Sequence, residues 1–186
     1  MFRIYAIVLG IAAFIASIDQ WSKSFFTNYF KNLGDSFEVT SWFDFTLVHN
    51  KGIAFGMLRD IPDPYRFWVL TLLPIAVLIL LWFSFVRQFK TSERLGPIAI
   101  GLVFGGAIGN LIDRARLGYV VDFVDWHYPS TGECLAINLG FVRFPLFSQV
   151  TGHSCHWPAF NIADAAICIA FILLIILSFK QEKKSA

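Results

Sequence analysis

Four apolar stretches, each close to the length that a helix needs to cross a lipid bilayer, constrain this chain more than any other feature. They cover about residues 4–26, 67–86, 95–112 and 159–179. A helix of about 20 apolar residues spans the roughly 30 Å of bilayer hydrocarbon. Only 15% of the residues are charged and 56% are hydrophobic, whereas about a quarter of a soluble domain is charged. The sequence predicts a mainly α-helical integral membrane protein with four transmembrane helices in a single domain, residues 1–186.

The first apolar stretch also fits, loosely, a cleaved signal peptide. Arg3 precedes it, and Ala16 and Ser17 lie within it. Asp19 and Lys23 continue the same helical pattern, and three further spans follow, so we predict a retained span. The spacing of Asp19 and Lys23 favours an ion pair that anchors the helix, and a direct catalytic role for the pair is the alternative.

Basic residues predict the orientation in the membrane. The two termini and the short connection between spans two and three carry seven of them: Arg3, Arg87, Lys90, Arg94, Lys180, Lys183 and Lys184. The excess of Lys and Arg on cytoplasmic segments places both termini in the cytoplasm. The longer connections, about residues 27–66 and 115–158, then lie outside. The net charge of +2 does not indicate a nucleic-acid partner.

Polar residues of three spans converge on one predicted depth. At about 1.5 Å per residue, Asp19 and Asn110 each lie roughly 22 Å from the cytoplasmic ends of their spans, and Asp164 lies roughly 8 Å below the outer end of the fourth. Ionisable residues within spans are rare unless they serve a site. We therefore expect a functional site toward the outer face.

Two carboxylates are candidates for an acid pair that activates water. Asp164 shares a helical face with Asn161, and Asp122 follows two valines in a predicted extended segment at residues 119–126. Alternation along a strand places Asp122 and Asp125 on opposite faces, and we interpret Asp125 as a solvated loop charge. Two carboxylates held close together do not both ionise, so one serves as base and the other as acid in peptide hydrolysis.

The third span carries a polar face and several glycines. Asn110, Asp113 and Arg114 have the spacing of one helical face, and we interpret Asp113 as a solvated partner of Arg114. The glycines indicate close helix packing: Gly101, Gly105, Gly106 and Gly109.

We interpret the stretch at about residues 128–156 as an outer loop that packs over a sheet or contacts a partner. Two further features of this stretch remain open. Cys134 and Cys155 can form a disulfide if the stretch lies in an oxidising compartment. A metal site formed by His153, Cys155 and His156 is a weak alternative, because neighbouring ligands in a loop are a poor signal.

Five short motifs follow one another along the chain: DQWSK at 19–23, VHNKGIAFG at 48–56, GGAIGNLIDR at 105–114, GYVVDF at 118–123 and FNIAD at 160–164. In this order they closely resemble the bacterial lipoprotein signal peptidases, the type II signal peptidases. The resemblance implies a multi-pass intramembrane aspartyl endopeptidase of the bacterial inner membrane. Its substrates are prolipoproteins with diacylglycerol on a cysteine, and it cuts just before that cysteine.

The resemblance also assigns roles to individual residues. It implies that Asp122 and Asp164 are the catalytic dyad. Substrate-binding residues would be Asn50, Asn110, Arg114 and Asn161. Residues that support the fold would be Asp19, Lys23, Gly52 and Gly106. No metal or organic cofactor is implied, and the expected partners are lipid-modified prolipoproteins and membrane lipids.

The first outer connection adds a predicted small extracytoplasmic β-sheet over the site. Gly52 supplies a turn in this connection. Aromatic residues alternate with other residues near Asn50, and these are Trp42, Phe43, Phe45 and Phe55. The 41 residues between Asp122 and Asp164 are more than the resemblance leads us to expect.

Two other functional classes fit the sequence less well than a peptidase does. One alternative is a small proton-coupled transporter, but such sites lie near the midplane, often with inverted repeats, and no repeat is visible here. A purely structural membrane subunit leaves the convergent Asn and Asp residues unexplained.

Overall fold

The computed structural model describes residues 2–52, 62–85, 95–130, 132–138, 143–149 and 154–185. The chain divides into two compact units. The helical unit comprises Met1–Ser22, Phe67–Leu117 and Ile162–Ala186. The sheet unit comprises Lys23–Arg66 and Gly118–Asn161. A single domain over the whole chain stays a prediction.

Four long α-helices dominate the described residues: α1 Phe2–Tyr29, α2 Asp63–Phe85, α3 Leu95–Leu117 and α4 Ile162–Ser185. Each contains the greater part of one predicted apolar stretch, so the mainly helical membrane fold is confirmed. Three of the helices, α1, α3 and α4, are long and apolar enough to cross a membrane. The apolar run of α2, Trp68–Ser84, is shorter, and a fourth membrane crossing stays a prediction.

Glycines bring α3 close to α1 and α4. A methyl group added at Gly105 would lie 2.6 Å from Cβ of Ile15 in α1. One added at Gly106 would overlap the backbone oxygen of Ala163 in α4. Only a residue without a side chain fits at such contacts, so the prediction that these glycines serve close packing is confirmed.

Apolar side chains from three helices form the core of the helical unit. Ile4 and Val8 of α1 pack against Ile100 of α3, and all three are buried. Trp82 of α2 and Phe104 of α3 cover this cluster. In lipid, such contacts stabilise the association of the helices through van der Waals packing.

The sheet unit contains a five-stranded antiparallel sheet and a separate two-stranded sheet. The strands in chain order are β1 Ser36–Thr40, β2 Phe43–Asn50, β3 Val120–Pro129, β4 Ala136–Asn138, β5 Arg143–Pro145, β6 Ser148–Gln149 and β7 Ser154–His156. The five-stranded sheet has the spatial order β1-β2-β3-β7-β6, and β4 pairs with β5. The predicted small sheet in the first outer connection is therefore confirmed. Phe55, which the same prediction named, lies outside the described residues.

The stretch interpreted as a plain outer loop is partly strand. The strand β3 runs on to Pro129, so the backbone groups of its last three residues are available for pairing. Residues His127 to Pro129 pair with β7 in antiparallel register. The loop interpretation is thus wrong for the residues that lie in strands, because sheet structure continues into this stretch.

A β-bulge in β2 changes which face of the sheet its residues occupy. Asp44 pairs with Asp125 and Asn50 pairs with Val120, with one extra β2 residue between these two registers. Side chains alternate strictly along β3, so Asp125 and Val120 lie on opposite faces. The bulge therefore places Asp44 and Asn50 on opposite faces, although their even spacing in a regular strand would give them the same one.

A disulfide joins Cys134 to Cys155, with 5.5 Å between the two Cα atoms. It ties the segment before β4 to β7, so the disulfide that the sequence left open is present. The metal site suggested for His153, Cys155 and His156 is wrong, because the sulfur of Cys155 is bonded to another sulfur and is no thiolate ligand. His153 lies outside the described residues.

Candidate functional site

Asp122 is buried in β3 and both of its carboxylate oxygens accept hydrogen bonds from asparagine amides. The side chain of Asn50 donates to Oδ2 at 2.9 Å and that of Asn161 donates to Oδ1 at 2.6 Å. Asp122 is 1% exposed and Asn161 is fully buried. A buried carboxylate normally needs such partners, and the two amides fix the orientation of this one.

Backbone geometry on both sides brings the two amides to Asp122. Phe160 pairs with β3: its carbonyl accepts from the N–H groups of Phe123 and Val124, and its N–H donates to the carbonyl of Val124. The next residue, Asn161, is thereby held beside Asp122. On the other side, Asn50 of β2 pairs with Val120 of β3, two residues before Asp122.

Gly52 orients the side chain of Asn50 from the other side. The N–H of Gly52 donates to Oδ1 of Asn50 at 2.9 Å. With its oxygen bound there, the amide presents its nitrogen to Asp122. Gly52 is buried. Its hydrogen bond to Asn50 is consistent with the prediction that Gly52 supports the fold.

Asp164 lies in the first turn of α4, within the helical unit. The side chain of Asn110 in α3 donates to its Oδ1 at 2.8 Å. Free backbone N–H groups and the helix dipole favour a carboxylate at this end of a helix. Asp164 is half-buried, so its carboxylate has a fixed donor in Asn110 and is still partly accessible from outside the protein.

Asp19 and Gln20 join α1 to the neighbouring helices. Oδ1 of the fully buried Asp19 accepts from the N–H of Ala163 in α4 at 2.9 Å. Gln20 donates to Oδ1 of Asp113 at 2.8 Å and to the carbonyl of Gly109 at 3.1 Å. These contacts confirm that Asp19, Asn110 and Asp164 lie at one level of the helical unit, as the depth count predicted.

The interpretations of Asp113 and Asp125 as solvated charges are wrong. Asp113 is 3% exposed, because Gln20, which the sequence analysis did not single out, supplies an amide for it. The position of Gln20 beside Asp19 on a polar turn of α1 was the available signal. The Asp125 side chain is 14% exposed and binds His156 of β7, a contact created by the unforeseen pairing of β3 with β7.

The remaining predicted site residues have defined places in the chain. Arg114 lies in the last turn of α3, one turn beyond Asn110, and is half-buried. Lys23 is buried in the C-terminal part of α1. Contact of Arg114 with substrate and the Asp19–Lys23 ion pair stay predictions.

Two titratable groups of the sheet have shifted pKa values. Burial lowers the pKa of His49, and the charge of Lys51 lowers it further; the imidazole stacks on Tyr119 with 3.8 Å between ring centroids. Burial raises the pKa of Asp44, His127 opposes this shift, and Asp125 adds to it. Neither group contacts Asp122 among the described hydrogen bonds.

The chain resembles known proteins over nearly its whole length. The sequence profile of a peptidase family described as "Signal peptidase (SPase) II" matches residues 11–180. A lipoprotein signal peptidase of Syntrophotalea carbinolica is 36% identical over 177 residues, covering 95% of this chain and 93% of that protein. The lipoprotein signal peptidase of Aquifex aeolicus is 36% identical over 171 residues, covering 92% and 84%.

Solved structures agree with these sequence relatives. A structure described as a bacterial membrane enzyme aligns with a TM-score of 0.72 and 30% identity, covering 96% of this chain and 91% of its own. A second structure of the same description aligns with a TM-score of 0.67 and 31% identity, covering 93% and 92%.

Proposed function

This chain belongs to the signal peptidase II family, and from that premise we propose that it cuts diacylglyceryl-modified prolipoproteins just before the lipidated cysteine. The family removes signal peptides from prolipoproteins, and the chain is a peptidase of this class in a bacterial membrane. The position of the cut and the need for the diacylglyceryl group are the finer parts of the proposal.

The catalytic pair in this proposal is Asp122 and Asp164. The observation that carries it is that each carboxylate is held by neutral asparagine amides, Asp122 by two and Asp164 by one. An amide donor fixes each carboxylate in one orientation, and acid–base catalysis requires a carboxyl group held in place beside the reacting bond.

The reaction needs one ionised and one protonated carboxyl group. The ionised group takes a proton from water, and the water oxygen attacks the carbonyl carbon of the scissile bond. The protonated group gives its proton to the carbonyl oxygen. Collapse of the tetrahedral intermediate then breaks the C–N bond: the amine of the lipidated cysteine leaves with a proton from the first carboxyl group, and the second carboxylate takes back a proton from a hydroxyl of the intermediate.

The asparagines and Arg114 have distinct roles in this scheme. Asn50, Asn110 and Asn161 act as positioning residues, because their amides contact the two carboxylates. We propose that Arg114 binds the substrate backbone. An extended peptide offers carbonyl oxygens to which a guanidinium donates.

Cleavage of a diacylated prolipoprotein by the purified protein in detergent tests the dyad. Asp122→Asn and Asp164→Asn should each reduce the rate by at least about a hundredfold, since each removes an acid–base group. Asp113→Asn is the matched control. Asp113 is buried, asparagine has the same size as aspartate, and its side-chain oxygen can still accept the hydrogen bond from Gln20. Full activity of either dyad variant would overturn the assignment, as would equal loss in the control.

We also propose that both termini are cytoplasmic and that the site lies toward the outer face. The support is the density of basic residues in the termini and in the short connection between α2 and α3. A reporter that is active only in the cytoplasm, fused after Ala186, should be active. Activity of a reporter specific to the outer side at that position would overturn the orientation.

A further inference from the structure

Four titratable side chains meet on one face of the sheet in two adjacent cross-strand pairs. Asp44 of β2 pairs with Asp125 of β3, and His127 of β3 pairs with His156 of β7. Asp125 and His127 are two residues apart on β3, so they share a face. The β2 bulge is what brings Asp44 to this face.

The ligand atoms of three of these residues are close enough for one ion. One ligand atom each from Asp125, His127 and His156 lies within 4.8 Å of the others. Nδ1 of His156 is 2.7 Å from Oδ2 of Asp125, and the two imidazoles stack with 5.0 Å between centroids. Ligands of a tetrahedral zinc ion, each roughly 2.0–2.2 Å from the metal, lie about 3.4 Å apart. Small side-chain rotations close this difference.

Buried polar atoms without partners concentrate in the same cluster. Within the part of the chain that the structure describes, four buried side-chain polar atoms have no hydrogen-bond partner, and three of them are here: Oδ1 of Asp44, Oδ1 of Asp125 and Nδ1 of His127. Such atoms are rare in folded proteins, and each costs about 1–3 kcal/mol when left unsatisfied. Two carboxylates directly opposite each other add a repulsion. Both costs fall when a cation binds between these atoms.

We propose that Asp125, His127 and His156 bind a zinc ion, with Asp44 supplying the second negative charge beside it. Two imidazoles and a carboxylate form a ligand set that zinc accepts, with a fourth position left for water. Two carboxylates and two neutral imidazoles balance the charge of a divalent cation. Asp125 and His156 are 14% and 16% exposed, so an ion can reach them from solvent.

Binding changes the position of one proton on His156. At present Nδ1 lies against Asp125, and Nε2 is 2.8 Å from Oγ of Ser154. Zinc at Nδ1 takes the place of the proton shared with Asp125, and the ring proton then lies on Nε2. From there it is donated to Ser154, which orients the ligand as an outer partner of a metal-bound histidine normally does.

The zinc site is separate from the proposed hydrolytic chemistry. Asp122 and Asp125 lie three residues apart on β3 and hence on opposite faces. The ion therefore stabilises the sheet and activates no water for cleavage. The disulfide at Cys155, next to His156, fixes the strand that supplies the third ligand.

Zinc titration of the purified full chain in detergent tests the proposal, with an affinity tag that contains no histidine. Calorimetry should give one equivalent of zinc per chain, and zinc should raise the melting temperature. His127→Gln and His156→Gln should each weaken binding by more than about tenfold. His49→Gln, in a histidine outside the cluster, should bind like the wild type.

Two further measurements on the wild-type protein test the site without relying on the folding of a variant. Cobalt added to the wild-type protein should give the visible absorption of a tetrahedral site, and zinc should abolish it. A chelator should lower the melting temperature and leave cleavage of a lipidated substrate intact. Absence of stoichiometric binding, or binding unchanged in both histidine variants, would overturn the site. Loss of cleavage on chelation that zinc reverses would overturn its separation from catalysis.

Discussion

The amide of Asn161 donates a 2.6 Å hydrogen bond to the carboxylate of Asp122, although 39 positions separate the two residues in sequence. The same amide nitrogen lies 3.3 Å from the carbonyl of Val121. Asn161 also directly precedes α4, whose third residue is Asp164. One asparagine thus holds a buried carboxylate of β3 and directly precedes, in sequence, the helix that carries the other proposed acid.

Replacement of Asn161 by Ala should impair both folding and cleavage. The buried Asp122 loses the amide donor to its Oδ1, which costs about 1–3 kcal/mol of stability. We expect cleavage to fall by at least about tenfold, since a misplaced catalytic group loses rate steeply. Thermal unfolding and initial rates on a lipidated substrate measure the two effects. Asn28→Ala, at an exposed position of α1, should change neither, and wild-type rates in Asn161→Ala would refute the positioning role.

A methyl group at Gly106 should loosen the contact between α3 and α4. In Gly106→Ala the new Cβ overlaps the backbone oxygen of Ala163, and backbone atoms have no rotamer with which to avoid it. Overpacking of this kind costs about 1–3 kcal/mol, which should appear as a lower melting temperature. The control is Gly10→Ala in α1, where nothing lies within 4 Å of the added group. Equal melting temperatures for the two variants would contradict the close packing.

Stability should fall as the pH decreases, through His49. Burial lowers the pKa of His49 in the folded protein, and Lys51 adds to this shift, whereas the unfolded chain has a pKa near 6.5. The unfolded state therefore binds more protons below about pH 6.5, so stability is greatest above this pH and declines below it. Melting temperatures of wild type and His49→Gln at several pH values measure the effect. The variant should depend less on pH, and an unchanged slope would exclude His49 as the cause.

Cleavage should require the lipid on the substrate cysteine. Each buried CH₂ of an acyl chain contributes about 0.8 kcal/mol to membrane binding, so in the proposed reaction the acyl chains bring the scissile bond to the acids. We expect the same precursor without its diacylglyceryl group to be cut at least about a hundredfold more slowly, a loss of effective concentration. Comparable rates for the two forms would favour a less selective intramembrane peptidase.

The helical part of this fold follows from sequence because lipid imposes one dominant requirement. A helix satisfies its own backbone hydrogen bonds in hydrocarbon, so an apolar run of sufficient length predicts both a helix and its place. Counting along these helices also brought Asp19, Asn110 and Asp164 to one level. The extended segment predicted at residues 119–126 lies almost wholly in the strand β3.

The sheet was less accessible to prediction because its contacts are distant in sequence. No residue type marks the extra position in β2, yet this bulge decides whether Asp44 and Asn50 face the same side. The pairing of β7 with β3 requires the chain to reverse direction between the two strands. The spacing of Cys134 and Cys155 in sequence does not reveal that these two residues come close together. Asn50, Asn110 and Asn161 were predicted to face substrate, and their contacts with Asp122 and Asp164 emerge only in three dimensions.

The bond between Cys134 and Cys155 makes maturation of this protein depend on thiol oxidation. Closing a loop of 21 residues restricts the unfolded chain and contributes about 3 kcal/mol in the chain-entropy description. Insertion into the bilayer therefore does not complete the protein, because the sheet reaches its full stability only after oxidation. Chains synthesised in a host that lacks oxidative folding should accumulate in a reduced form that proteases degrade faster.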